Sequence, residues 1–139
     1  MILLDTNVVS ALMRQSPDLE VISWLDRQPR TSVWTTAITV FEISFGLRVM
    51  VTGRRRALLM TSFERLLNEI IQQRIAHFDA AAAHEAAALM AARQNKGRSG
   101  ELRDTMIAGI TLASHATLAT RNIKHFEDIP SSVVNPWNA

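Results

Sequence analysis

A chain of 139 residues with 47% apolar and 20% charged side chains has room for one buried core, so a single domain over residues 1–139 is expected, and the absence of cysteine excludes disulfides, thiolate metal sites and cysteine nucleophiles. The apolar runs fall far short of the roughly 20 residues of a membrane span, and Met1-Ile2-Leu3-Leu4-Asp5 lacks the basic start of a signal peptide, which points to a cytoplasmic protein with no membrane partner. Net charge is only +2, and the isoelectric point near 9.9 arises because every base except Lys96 and Lys124 is Arg and Tyr is absent, so it gives little support to a polyanion partner.

Ile2 to Leu4 is a short apolar run ending in Asp5-Thr6-Asn7, a buried strand followed by a helix cap and a helix over Asn7 to Met13. A second helix opens near Ser16-Pro17-Asp18 and ends before Pro29; Ser32 to Thr35 is the next strand. A helix from about Ile38 to Val51 stops before Gly53, and Arg54 to about Gln72 reads as one long amphipathic helix. Ile75 to Phe78 is a third strand, after which Asp79 caps an Ala-rich helix to about Asn95. Lys96 to Gly100 is a loop, and Ser99 or Gly100 opens a helix from Glu101 to Ser114. Thr117 to Thr120 is strand-like, a helical turn reaches Phe126, and Ser132 to Val134 is an edge strand. Short apolar strands alternating with helices predict an α/β fold, with a parallel sheet of four or five strands and helices on both faces. Ligands bind such sheets at the carboxyl ends of the strands.

Most of the carboxylates have ordinary explanations there. Asp18 and Asp79 sit at helix starts, Glu64, Glu69 and Glu85 lie on helices beside Arg or His, and Glu127-Asp128 is a polar loop. Three acids do not fit that account. Asp5 ends an apolar strand, Glu42 has Ile38, Phe45 and Gly46 as its helical neighbours, and Asp104 leads into Met106-Ile107-Ala108-Gly109-Ile110. An isolated carboxylate in such company costs several kcal/mol unless paired or metal-bound. Pairing with Arg or capping explains any one of them about as well as function does. Three together would repel, and a divalent cation relieves that repulsion; an all-oxygen donor set suits Mg²⁺ or Mn²⁺ better than zinc.

In order and spacing, Asp5-Thr6-Asn7, Glu42 within Thr39-Val40-Phe41-Glu42, and Asp104-Thr105-Met106-Ile107-Ala108 resemble the acidic motifs of PIN-domain ribonucleases. Thr120-Arg121-Asn122 and the closing Asn135-Pro136-Trp137 are similar to the VapC/FitB branch. The resemblance runs from Met1 to Trp137. It implies a PIN-like three-layer fold and the toxin of a type II toxin–antitoxin pair, a Mg²⁺-dependent endoribonuclease neutralised by a cognate antitoxin. Its implied partners are that antitoxin, an RNA substrate, a second copy of the chain in a homodimer or higher assembly, and operator DNA reached only through the antitoxin. Asp5 and Asp104 would be the principal metal ligands, Glu42 a ligand or water-orienting group, and Thr6 and Thr120 hydroxyl contributors to the same site. Where the family often has a fourth acid, this chain has Asn122, and three residues on His125. The site's charge is thereby lower, and Asn122 would complete it only weakly.

The remaining features are less specific. His77, His84 and His115 lack a nucleophile or metal-spaced partner, and His125 alone stands where an acid is found elsewhere. Gly53-Arg54-Arg55-Arg56 would suit RNA or an acidic antitoxin segment, while Arg14 and Arg121 are nearer candidates for phosphate contact. Phe41, Phe45, Val49 and Met50 leave the Glu42 helix apolar nearly all round. Either a partner or the 54–72 helix must cover it. A different class of function competes: a PIN scaffold with impaired catalysis, acting mainly through its antitoxin in operator repression. A phosphatase with Asp5 as nucleophile is disfavoured, because position 7 holds Asn rather than a second Asp.

Overall fold

The strands are β1 (Ile2–Leu4), β2 (Val33–Thr36), β3 (Ile75–Ala76), β4 (Thr117–Ala119) and β5 (Val133–Val134). In the computed structural model, which describes all 139 residues, they pair in parallel in the order β3-β2-β1-β4-β5. Successive strand side chains point to opposite faces, and the two residues that close β1 show the consequence. Leu4 packs with Val8, Val9, Trp24, Ile43 and Phe63, whereas Leu3 packs with Ile107, Ala108, Leu118 and Phe126. The helices α1 (Thr6–Met13), α2 (Leu19–Asp26), α3 (Ala37–Val49) and α4 (Arg54–Arg65) supply most of the first core, while α5 (Ala80–Asn95) and α6 (Leu102–Ser114) cover the other face. The expected three-layer α/β architecture is therefore present, at the upper strand count.

Local chemistry sets the boundaries. β3 stops at Ala76 rather than Phe78 because its partner β2 ends at Thr36, opposite Ala76, and no backbone remains to pair with. The helix expected over residues 54–72 is regular only to Arg65 and then widens into a π-helical turn, Leu66–Ile70. Leu66 and Ile71 are both buried and the Ile71 N–H donates to the Leu66 carbonyl at 2.9 Å. On a regular helix residues five apart point about 140° away from each other; the π turn brings both into one core. Gln72 and Gln73, at φ 52° and 59°, then turn the chain toward β3.

Asp79 caps α5, accepting from Ala82 N at 3.0 Å. Glu101 does the same for α6, accepting from Asp104 N at 3.1 Å, so Glu101 rather than Ser99 or Gly100 is the capping residue. Asp18 departs from expectation. It precedes α2 without a side-chain cap, and its carboxylate accepts from Trp137 Nε1 at 2.7 Å, pinning the C-terminal tail. The face of α3 carrying Phe41, Phe45 and Val49 stays 54–66% exposed. Cover by α4 is thus ruled out for that face, although Met50 packs against the first core.

Candidate active site

The strand order reverses at the centre of the sheet. From β1 the chain proceeds to β2 and β3 on one side, and β4 and β5 lie on the other. The crevice beyond the carboxyl ends of β1 and β4 is the site such sheets offer to ligands, and Asp5 and Thr120 are the residues that directly follow those strands.

Asp5 is 3% exposed and caps α1. One carboxylate oxygen accepts from Thr6 N at 2.8 Å; the other accepts from the Thr120 hydroxyl at 2.7 Å and from Asn7 Nδ2 at 3.3 Å. Burial pushes its pKa above the ordinary value, the charges of Asp104 and Glu42 push it the same way, and the Thr120 and Thr6 hydrogen bonds oppose them. Asn7 also donates to Thr120 Oγ1 at 3.3 Å and accepts from Arg121 N at 3.0 Å. That side chain stitches β1 to β4.

Glu42 reaches the crevice from α3, which Thr36 begins by accepting from Thr39 N at 3.0 Å. Its Oε1 accepts from the Thr6 hydroxyl at 2.8 Å, and Thr6 Oγ1 lies 3.1 Å from Thr39 Oγ1. Its Oε2 faces Arg103 Nε at 3.7 Å, and Arg103 is also held by Glu101 at 3.2 Å. Asp104, in the first turn of α6, has its Oδ2 2.8 Å from His125 Nδ1, a hydrogen bond when that nitrogen carries the proton. Arg93 of α5 is buried between Asp128, Thr105 and the His125 carbonyl.

Two openings flank the acids. On the α6 side lies a cavity of ≈ 460 Å³, with Asp104, His125, Arg98 and Lys124 in its wall and no hydrophobic side chain. On the α1–α3 side lies a groove of ≈ 430 Å³ in which Thr6, Glu42, Arg14, Arg55 and Arg103 ring an apolar floor including Leu47 and Leu59.

Asp5, Thr6, Glu42, Asp104 and Thr120 thus gather at one end of the sheet. Asn122 does not join them by its side chain: it is exposed, and only its backbone N–H enters the network, donating to Thr120 Oγ1 at 3.0 Å. Arg14 lines the groove beside Glu42 as expected, whereas the Arg121 guanidinium lies 4.6 Å from the Trp137 ring centre, in a cation–π contact. Arg56, one of the basic triplet, donates to the Leu47 carbonyl at 2.8 Å. Sequence reasoning missed the side-chain roles of Asn7, Arg103 and Arg93. Asn7 lay in plain view within the Asp-Thr-Asn motif, but Arg93 lacks a local signal because its partners are 12 to 35 residues away.

No three acid or histidine side chains converge closely enough to enclose one ion. The donor chemistry nevertheless fits a hard divalent cation: carboxylate and hydroxyl oxygens gathered about a buried carboxylate whose charged form burial and like charges disfavour. Asp5 and Asp104 would hold it.

The PIN-domain family model matches residues 2–131. The chain is 37% identical to the plasmid stability protein StbB of Pseudomonas syringae pv. tomato over 139 residues, covering 100% of each chain. To the VapC ribonuclease Y4jK of Sinorhizobium fredii it is 36% identical, over 99% of this chain and 98% of the relative. A solved structure of FitAB bound to a DNA fragment superposes with a TM-score of 0.88 at 32% identity, covering 99% of this chain and 96% of the other.

Proposed function

Because the chain belongs to the PIN-domain family, we propose that it is the toxin of a toxin–antitoxin pair, a Mg²⁺-dependent endoribonuclease that hydrolyses RNA phosphodiester bonds, with Mn²⁺ as a workable substitute. One observation carries the reading: a buried carboxylate at the carboxyl end of the central strand, Asp5, whose proton affinity is raised by burial and further by the charges of Glu42 and Asp104. A carboxylate perturbed by burial and by two neighbouring like charges, at a strand's carboxyl end, is the kind of group that active sites hold. The relative named VapC ribonuclease supports the RNA-hydrolysing part of the reading.

When bound, the cation supplies Lewis acidity that activates water and neutralises charge developing on the phosphate. The protein's own part is fixed by its hydrogen bonds. Thr6 and Thr120 orient Glu42 and Asp5, each through a hydroxyl donated to a carboxylate oxygen. Glu42 contributes as ligand or water-orienting group. Arg14 and Arg103, in the groove wall, supply guanidinium groups suited to phosphate. The unpartnered apolar face of α3, with Phe41 and Phe45 exposed, and the Arg-rimmed groove support binding of an antitoxin segment or a second copy of the chain. Operator DNA would be reached through the antitoxin, consistent with the DNA-bound FitAB structure.

The test is purified protein against total RNA with Mg²⁺, Mn²⁺ or EDTA. Cleavage that needs the metal and vanishes in Asp5→Asn and Asp104→Asn is expected. A second reading has its own observation: Glu42 and Asp104 already face Arg103 and His125, as a scaffold with impaired catalysis would have them. RNA left intact in every metal condition, by a protein that still binds its antitoxin, would favour that reading.

A further inference from the structure

Arg93 and Asp5 are the only charged residues buried in this fold. Asp5 belongs to the acid cluster. Arg93 does not, yet its guanidinium is used on three sides. Nε and Nη2 fork onto the two oxygens of Asp128, both at 2.8 Å. Nη2 also donates to the His125 carbonyl at 2.9 Å, and Nη1 donates to Thr105 Oγ1 at 3.1 Å. Thr105 is the residue after Asp104. His125 lies in the 3-10 turn Ile123–Phe126, and its ring is the partner of Asp104. One planar group therefore ties together the two segments whose side chains meet at the Asp104–His125 contact.

Gly100 belongs to the same construction. A Cβ there would stand 2.9 Å from Arg93 Nη1 and 3.4 Å from Thr105 Oγ1, so the slot for the guanidinium exists because residue 100 has no side chain. Asp104 needs such help more than the other acids do. Asp5 is fixed by three donors and Glu42 by Thr6 and Arg103, whereas the Asp104 carboxylate has only the half-exposed His125 ring.

We propose that Arg93 is a positioning residue: with Asp128 as its counter-ion and Gly100 as its slot, it sets the separation of α6 from the 123–126 turn and so aims Asp104 and His125 into the crevice. The proposal rests on the reading of Asp104 as an active-site acid. Arg acts here as a fork, so a Lys of equal charge cannot replace it, because a single ammonium cannot reach Asp128, Thr105 and the His125 carbonyl along three fixed directions.

The experiment compares the parent with Arg93→Lys, Asp128→Asn and Gly100→Ala. It reads three quantities: RNA cleavage with Mg²⁺, thermal melting, and the imidazole ¹⁵N resonances of His125 in folded protein at fixed pH. Gly100→Ala keeps every partner and presses chiefly on Nη1, so it carries the test if Arg93→Lys fails to fold. Expected are a kcat lower by about 100-fold, the penalty of an angstrom-scale misplacement, a KM changed by no more than about twofold, and shifted His125 resonances well below the melting temperature. Variants that melt earlier but, while folded, keep the parent's kcat and His125 resonances would overturn the proposal and leave Arg93 a stabilising strut. A parent that cleaves no RNA would sink the nuclease reading instead, and the His125 resonances alone would then decide for or against Arg93.

Discussion

Asn7 and Asn122 are both amides near the same buried carboxylate, and their side chains have opposite fates. Asn7 Nδ2 donates to Asp5 and to Thr120, two buried groups, while the Asn122 side chain is exposed and only backbone groups are engaged, the N–H with Thr120 Oγ1 and the carbonyl with His125 N. Removing a donor from buried acceptors costs about 1–2 kcal/mol, whereas a backbone N–H survives any substitution but proline. Asn7→Ala should therefore lower the melting temperature, and should lower RNA cleavage because Asp5 and Thr120 lose a shared donor that orients them. Asn122→Ala should leave both near the parent's values, and Asn122→Asp should leave cleavage unchanged or raised by its added charge. Equal losses in Asn7→Ala and Asn122→Ala would show that Asn122 acts directly. The sequence exposed Asp5, Glu42 and Asp104 because a charge among apolar neighbours is visible locally. It hid Arg93, whose Ala-rich surroundings resemble those of any solvated helix cation, because the burial comes from segments distant in the chain.

Elements followed hydrophobic periodicity wherever one face decides the structure, and departed from it where the partner element does. β1, α1 and α5 were legible because an apolar run or a cap fixes them. The end of α4 was not, since only the tertiary demand to bury both Leu66 and Ile71 produces a π turn. Helix crossing is equally invisible to periodicity. At Gly109 a Cβ would meet the Ala82 carbonyl at 2.5 Å and Ala86 Cβ at 2.7 Å, so α5 and α6 approach closely only because position 109 carries hydrogen. Gly109→Ala should destabilise the fold by about 1–3 kcal/mol through overpacking, despite alanine's better helix propensity. A melting temperature equal to the parent's would mean the two helices separate freely. The outer face of α3 makes the opposite case, with Phe41 and Phe45 stacked 6.4 Å apart in solvent. Phe41→Ser with Phe45→Ser should leave melting and cleavage intact while weakening self-association or antitoxin binding, measured by analytical ultracentrifugation of the chain alone and with its antitoxin. Unchanged association in both would remove that face from the interface.

The whole molecule combines carboxylates that pull its pH dependence in opposite directions. Asp128 is held below its ordinary pKa by the Arg93 hydrogen bonds, and Glu101, despite some burial, by Arg103 and backbone N–H groups. Their stabilising contributions are present above the unfolded values of 3.8 and 4.5, and are lost as pH falls through the folded ones. Asp5 behaves in the reverse sense. Its pKa is raised above 3.8 by burial and then by Asp104 and Glu42, so the native state binds its proton more tightly than the unfolded chain does. The stability it contributes is complete below 3.8 and declines as pH rises through the raised folded value. As pH rises above the unfolded value of 3.8, melting temperatures of Asp5→Asn should therefore gain on the parent's, whatever offset the lost hydrogen-bond acceptor imposes. Asp128→Asn should recover ground only below the unfolded value. Mg²⁺ at about 100 times its dissociation constant should add about 2.7 kcal/mol to the parent near neutral pH, and EDTA should remove it. The same addition should do little for Asp5→Asn, because the buried anion that the cation would compensate is gone. Parallel pH profiles for parent and Asp5→Asn, with both indifferent to Mg²⁺, would mean that the charge at the centre of the sheet is satisfied by its hydrogen bonds alone, and the metal-dependent reading would fall with it.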